Sequence, residues 1–210
     1  MDLELKTGGT AFYPRPETEL LVEKAIELMN NSKNHDRQRA ILDIGTGSGN
    51  IAISLTKYIS SSRIIGLDIS EDALRVAYQN AEHSGVADKI KFIKSNLFEK
   101  LGSEFDGYFD MVISNPPYIS LKDFCELPEN VKDDPYIALY GGRDGLDFYR
   151  EIVSKSPRVL GRDGIIILEI GYDQGEQVRK MLEENGGFSF IELFKDYSGL
   201  DRIIKAVKNG

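Results

Sequence analysis

The sequence predicts an open α/β sheet of the Rossmann-like kind, seven strands wide, mostly parallel, with helices on both faces. Three observations carry this. Short β-branched strands alternate with helical stretches, so successive strands run parallel and the helices cross over between them. The first strand, "AILDIG", runs directly into a glycine-rich turn and then a helix. The chain closes on two strands, "FSFIELF" and "DRIIKAV", without a helix between them, which predicts a hairpin pair and an antiparallel strand at the far edge.

The elements follow in order. "ETELLVEKAIELM" places Leu21, Ala25, Leu28 and Met29 on one helical face. Pro16 suits the helix start, and Glu17 and Glu19 favour the positive end of its dipole. "NNSKNHDRQR" is a polar loop before the first strand. "GNIAISLTKYI" reads as a helix and "RIIGLDI" as a strand. "SEDALRVAYQNAEHSG" is a capped helix that stops at Gly85. "KIKFIKS" and "FDMVIS" are the third and fourth strands. After a long loop, "GLDFYREIVSKSPRVL" is helical, although Pro157 removes a backbone donor within it. "GIIILEIG" is a strand, and "QGEQVRKMLEENGG" a helix with a glycine stop.

Composition sets the bounds. The chain has 210 residues, 41% hydrophobic and 29% charged, enough for one well-cored domain spanning 1–210. Residues 1–35 form a leading segment and helix, and 36–210 the core. No apolar run approaches the roughly 20 residues of a membrane span, and "MDLELKTGG" lacks a signal-peptide core. One cysteine, Cys125, excludes an internal disulfide, so a cytoplasmic protein is expected, and a monomer. His35 and His83 stand alone, outside any metal-ligand spacing, and no metal is expected. A net charge of −8 disfavours nonspecific binding to a polyanion, and no stable association with nucleic acid or membrane is expected.

"ILDIGTGSGNIAI" sets Asp43, Gly45, Thr46, Gly47 and Gly49 between a buried strand and a helix. The alternative reading, a tight strand–helix turn, explains the glycines alone. In a doubly wound sheet, ligands bind at the carboxyl ends of the strands near the switch point. The spacing is G-x-G-x-G, not the G-x-G-x-x-G of the dinucleotide fingerprint. Asp43 would repel a pyrophosphate and attract a cation. The second strand ends in Asp68, followed by Ile69, where a carboxylate can accept both ribose hydroxyls. The third ends at Asn96, with Leu97 and Phe98 able to flank an adenine. A nucleoside with a positive centre and no phosphate is S-adenosylmethionine, with S-adenosylhomocysteine as its product.

The fourth strand is expected beside the first, so "NPPY", Asn115 to Tyr118, emerges next to the transferable methyl group. Two prolines make the loop stiff and extended. A planar NH2 acceptor has a delocalised lone pair and must be held in line and pyramidalised. The Asn115 side-chain oxygen and the Pro116 carbonyl can accept its two N–H groups. Tyr118 can lie flat against it. This is catalysis by orientation and preorganised polar contact, without a strong base.

Here the sequence resembles a known family. Asn-Pro-Pro-Tyr after such a loop occurs in amino-methyltransferases acting on adenine, guanine or glutamine amide nitrogen. "FYPRPETELLVE", with Arg15, Pro16, Glu17 and Thr18, "ALYGGRDGLDFYREI", "LEIGYDQGEQV" and "DYSGLDRIIKA" resemble the HemK/PrmC family. These are class I S-adenosylmethionine-dependent enzymes, the protein-(glutamine-N5) methyltransferases of release factors. The resemblance runs from about Leu3 onward and implies the glutamine of a Gly-Gly-Gln tripeptide in class-1 peptide-chain release factors as acceptor. It gives Asp43, Gly45, Gly47, Asp68 and Asn96 to the cofactor, joined by Thr46, Gly49, Ile69, Leu97 and Asn115. Phe12 and Pro16 go to the edge of the site, and Asn115, Pro116, Pro117 and Tyr118 to the glutamine. Two departures stand out. The family often has Asp where Asn96 stands, though the Asn oxygen can still meet adenine N6. Bacterial members also carry an N-terminal helical domain that this sequence does not show: either the sequence is a truncated one, which predicts a complete pocket and an incomplete protein-binding surface, or it is a free-standing short member.

The main rival is a methyltransferase acting on an exocyclic NH2 of adenine or guanine in nucleic acid, which would need a basic face and a target-recognition region. A nicotinamide-dependent oxidoreductase is opposed by the glycine spacing. A catalytically silent cofactor-binding module is opposed by an intact Asn115 to Tyr118. "YGGRDG" is either a turn or a segment that closes over substrate. "VKDDPY" reads as a solvated loop.

Overall fold

The computed structural model describes residues 16–31, 38–59, 61–127 and 135–210. Seven strands form one sheet: β1 (Arg39–Ile44), β2 (Ser62–Asp68), β3 (Ile90–Lys94), β4 (Phe109–Ser114), β5 (Leu160–Glu169), β6 (Phe188–Lys195) and β7 (Asp201–Lys208). Their spatial order is β3-β2-β1-β4-β5-β7-β6. The first five strands pair in parallel. The antiparallel strand expected at the edge is β7, one position in: it pairs with β5 on one side and β6 on the other. The crossover helix after β5 carries the chain past the open position, so β6 takes the edge and the returning β7 fills the gap.

The helices are α1 (Pro16–Asn30), α2 (Asn50–Tyr58), α3 (Glu71–His83), α4 (Leu121–Glu126), α5 (Tyr136–Leu139), α6 (Asp147–Val159) and α7 (Gly175–Asn185). Alternating strand residues feed two apolar layers. Ile41, Met111, Ile113, Ile167 and Ile203 face α1, α2 and α3; Leu42, Val112, Ile166, Leu168 and Ile204 face α6 and α7. Burying both faces is why these strands read as continuous apolar runs. On α1 the buried stripe is Thr18, Leu21, Val22, Ala25 and Met29, with Leu28 only half-buried. A polar residue therefore opens an otherwise apolar face.

Local chemistry sets the ends. The Ser70 hydroxyl accepts from the Ala73 N–H at 3.2 Å to cap α3, and Gly85 follows it with φ 69°. Pro157 sits in the last turn of α6, where the Val153 carbonyl loses its helical partner. That carbonyl instead accepts from Asn185 Nδ2 of α7 at 3.4 Å. β5 begins at Leu160, earlier than the expected "GIIILEIG", because Phe109 pairs with Leu160 before a bulge brings Met111 opposite Ile165. No described helix is long and apolar enough to cross a membrane.

Candidate active site

The switch point lies at β1, which pairs with β2 on one side and β4 on the other. Ile44 and Ser114 are in register there, so the loops that leave them, at Gly45 and Asn115, start side by side. The Ser114 hydroxyl donates to the Ile44 carbonyl at 2.6 Å and ties the two strand ends together. A single cavity opens over this point. Its walls include Gly45, Thr46, Gly47, Asp68, Ile69, Asn96, Leu97 and Asn115 to Tyr118. Loops from four different strands thus meet in one place, as the expected site requires.

The glycine loop is a folded scaffold. Gly47 has φ 55° and Gly49 φ 83°, left-handed values that an L side chain resists. The turn aims the Gly47 N–H at Asp68 Oδ2, 2.9 Å away. Asp68 Oδ1 accepts the Ser70 N–H at 2.8 Å, so the carboxylate is held at both oxygens while still lining the cavity. Burial raises its pKa above the usual carboxylate value, against the pull of these amide bonds.

Two residues of the expected cofactor set stand behind the wall rather than in it. Asp43 is fully buried and does not line the cavity. Its Oδ2 accepts the Thr46 hydroxyl at 2.6 Å, while Oδ1 has no hydrogen-bond partner. Burial pushes its pKa up to about 7. Gly49 caps α2, and a Cβ there would lie 3.1 Å from the Ala77 Cβ of α3. It permits close helix packing and touches no ligand space. Phe98 is also corrected: it is 4% exposed and belongs to the core, while its neighbour Leu97, like Ile69, lines the cavity. Asn96 lines the cavity with its Nδ2 donated to Glu99 Oε1 at 3.0 Å, which leaves its side-chain oxygen for another donor.

The Asn-Pro-Pro-Tyr loop is braced from several directions. Asn115 Nδ2 donates to the Thr18 hydroxyl oxygen at 3.0 Å. The Tyr118 carbonyl accepts from Gln174 Nε2 at 2.9 Å, and the same Nε2 lies 3.3 Å from the Gly145 carbonyl. Gln174 Oε1 accepts the Gly171 N–H at 3.0 Å, completing a buried bracket. Ile119 donates to the Leu139 carbonyl and accepts from the Gly141 N–H, each at 2.9 Å. "YGGRDG" is therefore hydrogen-bonded to the loop it follows, and its first glycines are buried.

Pro16 opens α1, and Phe12 lies outside the described residues, as do His35 and most of "VKDDPY". Sequence reasoning did not anticipate the wall supplied by Pro135, Ile137, Leu139 and Phe148, nor the role of Gln174. Thr18 left one signal, a hydroxyl at the head of the apolar stripe of α1. Among the described residues, no three His, Cys, Asp or Glu side chains gather as metal ligands.

The comparisons agree with this architecture. A family profile described as a methyltransferase domain matches residues 35–194. The release factor glutamine methyltransferase of Clostridium acetobutylicum is 42% identical over the whole of this chain, which spans 72% of that protein. The Fusobacterium nucleatum protein of the same name is 40% identical over 98% of the chain, which spans 56% of it. The solved ribosomal protein L11 methylase of Lactobacillus delbrueckii superposes with TM-score 0.66 at 22% identity, covering 97% of this chain and 83% of its own. The hMettl16 catalytic domain, solved with an RNA hairpin, gives TM-score 0.73 at 16% identity, covering 99% and 78%. These two show the shared fold, that of class I S-adenosylmethionine-dependent methyltransferases. With this identity over nearly the whole chain and the methyltransferase profile, the chain belongs to the release factor glutamine methyltransferase family.

Proposed function

We propose that this protein transfers a methyl group from S-adenosylmethionine to the side-chain amide nitrogen of a glutamine in the Gly-Gly-Gln motif of peptide-chain release factors. One observation carries the reading: the Asn-Pro-Pro-Tyr loop and the glycine loop leave adjacent strands in register and line one cavity.

The residues present fit the cofactor. Beneath the glycine loop lies a fully buried carboxylate, Asp43, with an unpartnered oxygen and a pKa near 7. A cation above the loop would favour its ionised form, whereas a phosphate would oppose it. Asp68 would hold the ribose hydroxyls, and Leu97, Ile69 and the Asn96 oxygen the adenine. When bound, S-adenosylmethionine supplies an electrophilic methyl on a sulfonium centre.

The protein's own task is to present the acceptor. A glutamine amide is planar, and its nitrogen lone pair is delocalised into the carbonyl. Asn115 Oδ1 and the Pro116 carbonyl would accept its two N–H groups and turn the lone pair toward the donor. The Tyr118 ring would bound the flat face of the amide. The nitrogen so presented would take the methyl from the bound sulfonium, and the surplus proton would leave that nitrogen for water. Among the described cavity walls the carboxylate is Asp68, already engaged by two backbone amides. Orientation and fixed dipoles thus carry the step.

Labelled methyl transfer with purified release factor and a nucleic acid as competing acceptors tests the reading. Label should map to the glutamine of the Gly-Gly-Gln peptide. Label on a base, or on no release-factor peptide, would overturn it.

A further inference from the structure

We propose that Thr18 is a positioning residue for the methyl-transfer step. Its hydroxyl fixes which end of the Asn115 amide faces the cavity, and Glu169 sets the direction of that hydroxyl. This rests on the role given to Asn115 above.

The three groups form a directional relay across distant parts of the chain. Thr18 Oγ1 donates to Glu169 Oε2 at 2.9 Å, and Asn115 Nδ2 donates to Thr18 Oγ1 at 3.0 Å. Thr18 is 4% and Glu169 1% exposed, so the Thr18–Glu169 bond is shielded from water, while the Asn115–Thr18 bond lies part-buried at the cavity wall. A hydroxyl has one proton. The bond runs from the Thr18 hydroxyl to Glu169 Oε2, so the Thr18 proton goes to Glu169. The Thr18 oxygen then only accepts, and the amide arm that meets it must be the NH2. The remaining arm, Asn115 Oδ1, is left for the cavity that Asn115 lines.

That orientation is not guaranteed otherwise. The two arms of an Asn amide are almost isosteric, and either can face a cavity. Only the oxygen accepts an acceptor N–H. Presented the other way, the NH2 arm would confront the N–H groups of the glutamine amide, donor against donor. The relay also explains why a hydroxyl heads the apolar stripe of α1. Glu169 is itself placed by β5, the strand beside β4, and the fully buried Tyr149 donates its hydroxyl to the Glu169 carbonyl at 3.0 Å. Helix α1 thereby holds one end of the catalytic loop, as Gln174 holds the other.

Thr18→Val keeps the shape and removes the hydroxyl. At saturating release factor, its transfer rate should fall about tenfold, less than the 10²–10³ of deleting a preorganised donor or acceptor outright. Cofactor Kd and acceptor KM should stay near the wild-type values, and Thr18→Ser should recover the rate. In an Asn115→Ala background, Thr18→Val should slow the reaction no further, since contacts that act as a unit are not additive. A wild-type rate in Thr18→Val, or an equal loss in both backgrounds, would overturn the proposal. Should Thr18→Val not fold, Thr18→Cys, whose thiol is a poor acceptor, reads the same split. A readout without acceptor separates this from the broader reading. In protein labelled at asparagine, one Asn115 side-chain N–H should resonate downfield and exchange slowly, and Thr18→Val should abolish that. If wild-type protein fails to methylate release factor but the resonance behaves so, the functional reading fails and the relay stands. Asn115 side-chain protons at ordinary shifts and exchanging fast in the wild type, unchanged in Thr18→Val, would remove the relay.

Discussion

Asp43→Asn should stabilise the cofactor-free protein, and only above a particular pH. The Asp43 carboxyl is fully buried, one oxygen bonded to Thr46 and the other without a partner. Burial raises its pKa from 3.8 to about 7. The folded state therefore prefers the neutral acid, while the unfolded chain ionises near 3.8. Below that value both states are protonated, and the group adds no penalty. As pH rises toward 7, the unfolded chain gains progressively by ionising where the folded one does not. Above about 7 the folded state ionises too, and the penalty levels off. A difference of about three pK units at roughly 1.4 kcal/mol each gives about 4 kcal/mol at the plateau. Asparagine is isosteric with the neutral acid, and its oxygen can still accept the Thr46 hydroxyl. Urea unfolding of both proteins between pH 4 and 8.5 tests this. The stability difference should be near zero at the acid end, grow in favour of Asp43→Asn between pH 4 and 7, and then stay constant. A pH-independent difference, or an Asp43→Asn protein less stable at pH 8 than at pH 4 relative to wild type, would show that Asp43 is not held neutral by burial. Cofactor should reverse the balance: wild-type affinity for S-adenosylmethionine should rise through pH 7, and Asp43→Asn should flatten that rise.

Asp68→Ala should weaken S-adenosylmethionine binding by roughly 1.5–3 kcal/mol, the scale of a charge-assisted hydrogen bond, as read by calorimetry; unchanged affinity would remove Asp68 from the site. Asn115→Ala should slow methyl transfer by about 10²–10³ with little change in cofactor affinity, and a parent-like rate would refute its role as acceptor for the substrate amide. Gln174→Ala strips the bracket that joins Tyr118, Gly145 and Gly171. It should cost about 1–3 kcal/mol in urea unfolding and lower the transfer rate, and an intact rate would mean the loop holds its shape without that bracket.

The strand and helix pattern was legible because each layer writes its own period. Ile41 and Leu42 face opposite sides of the sheet, and both sides are covered, so the run reads as a buried strand. Gly47 and Gly49 announced a turn because their φ values suit few other residues. The Asn-Pro-Pro-Tyr motif was legible because its stiffness is local. What misled the sequence reading was depth. Asp43 and Phe98 lie close in sequence to residues that line the cavity, but both are buried away from it, and Gly49 packs against α3. Proximity along a strand end does not say which face a side chain takes.

From its residues alone, then, this protein's fold class and cofactor type follow, and its candidate reacting loop with them, since all three depend on short-range chemistry: period, turn geometry and the charge beside a glycine loop. The sheet order, with β7 set inside β6, required the packed structure. So did the relay joining Thr18, Asn115 and Glu169, residues separated by 97 and 151 positions where they bond to Thr18. No spacing rule links such residues. They meet only because β4 and β5 lie side by side and α1 packs across them, and a buried bond such as that of Thr18 to Glu169 is strengthened by the low dielectric around it.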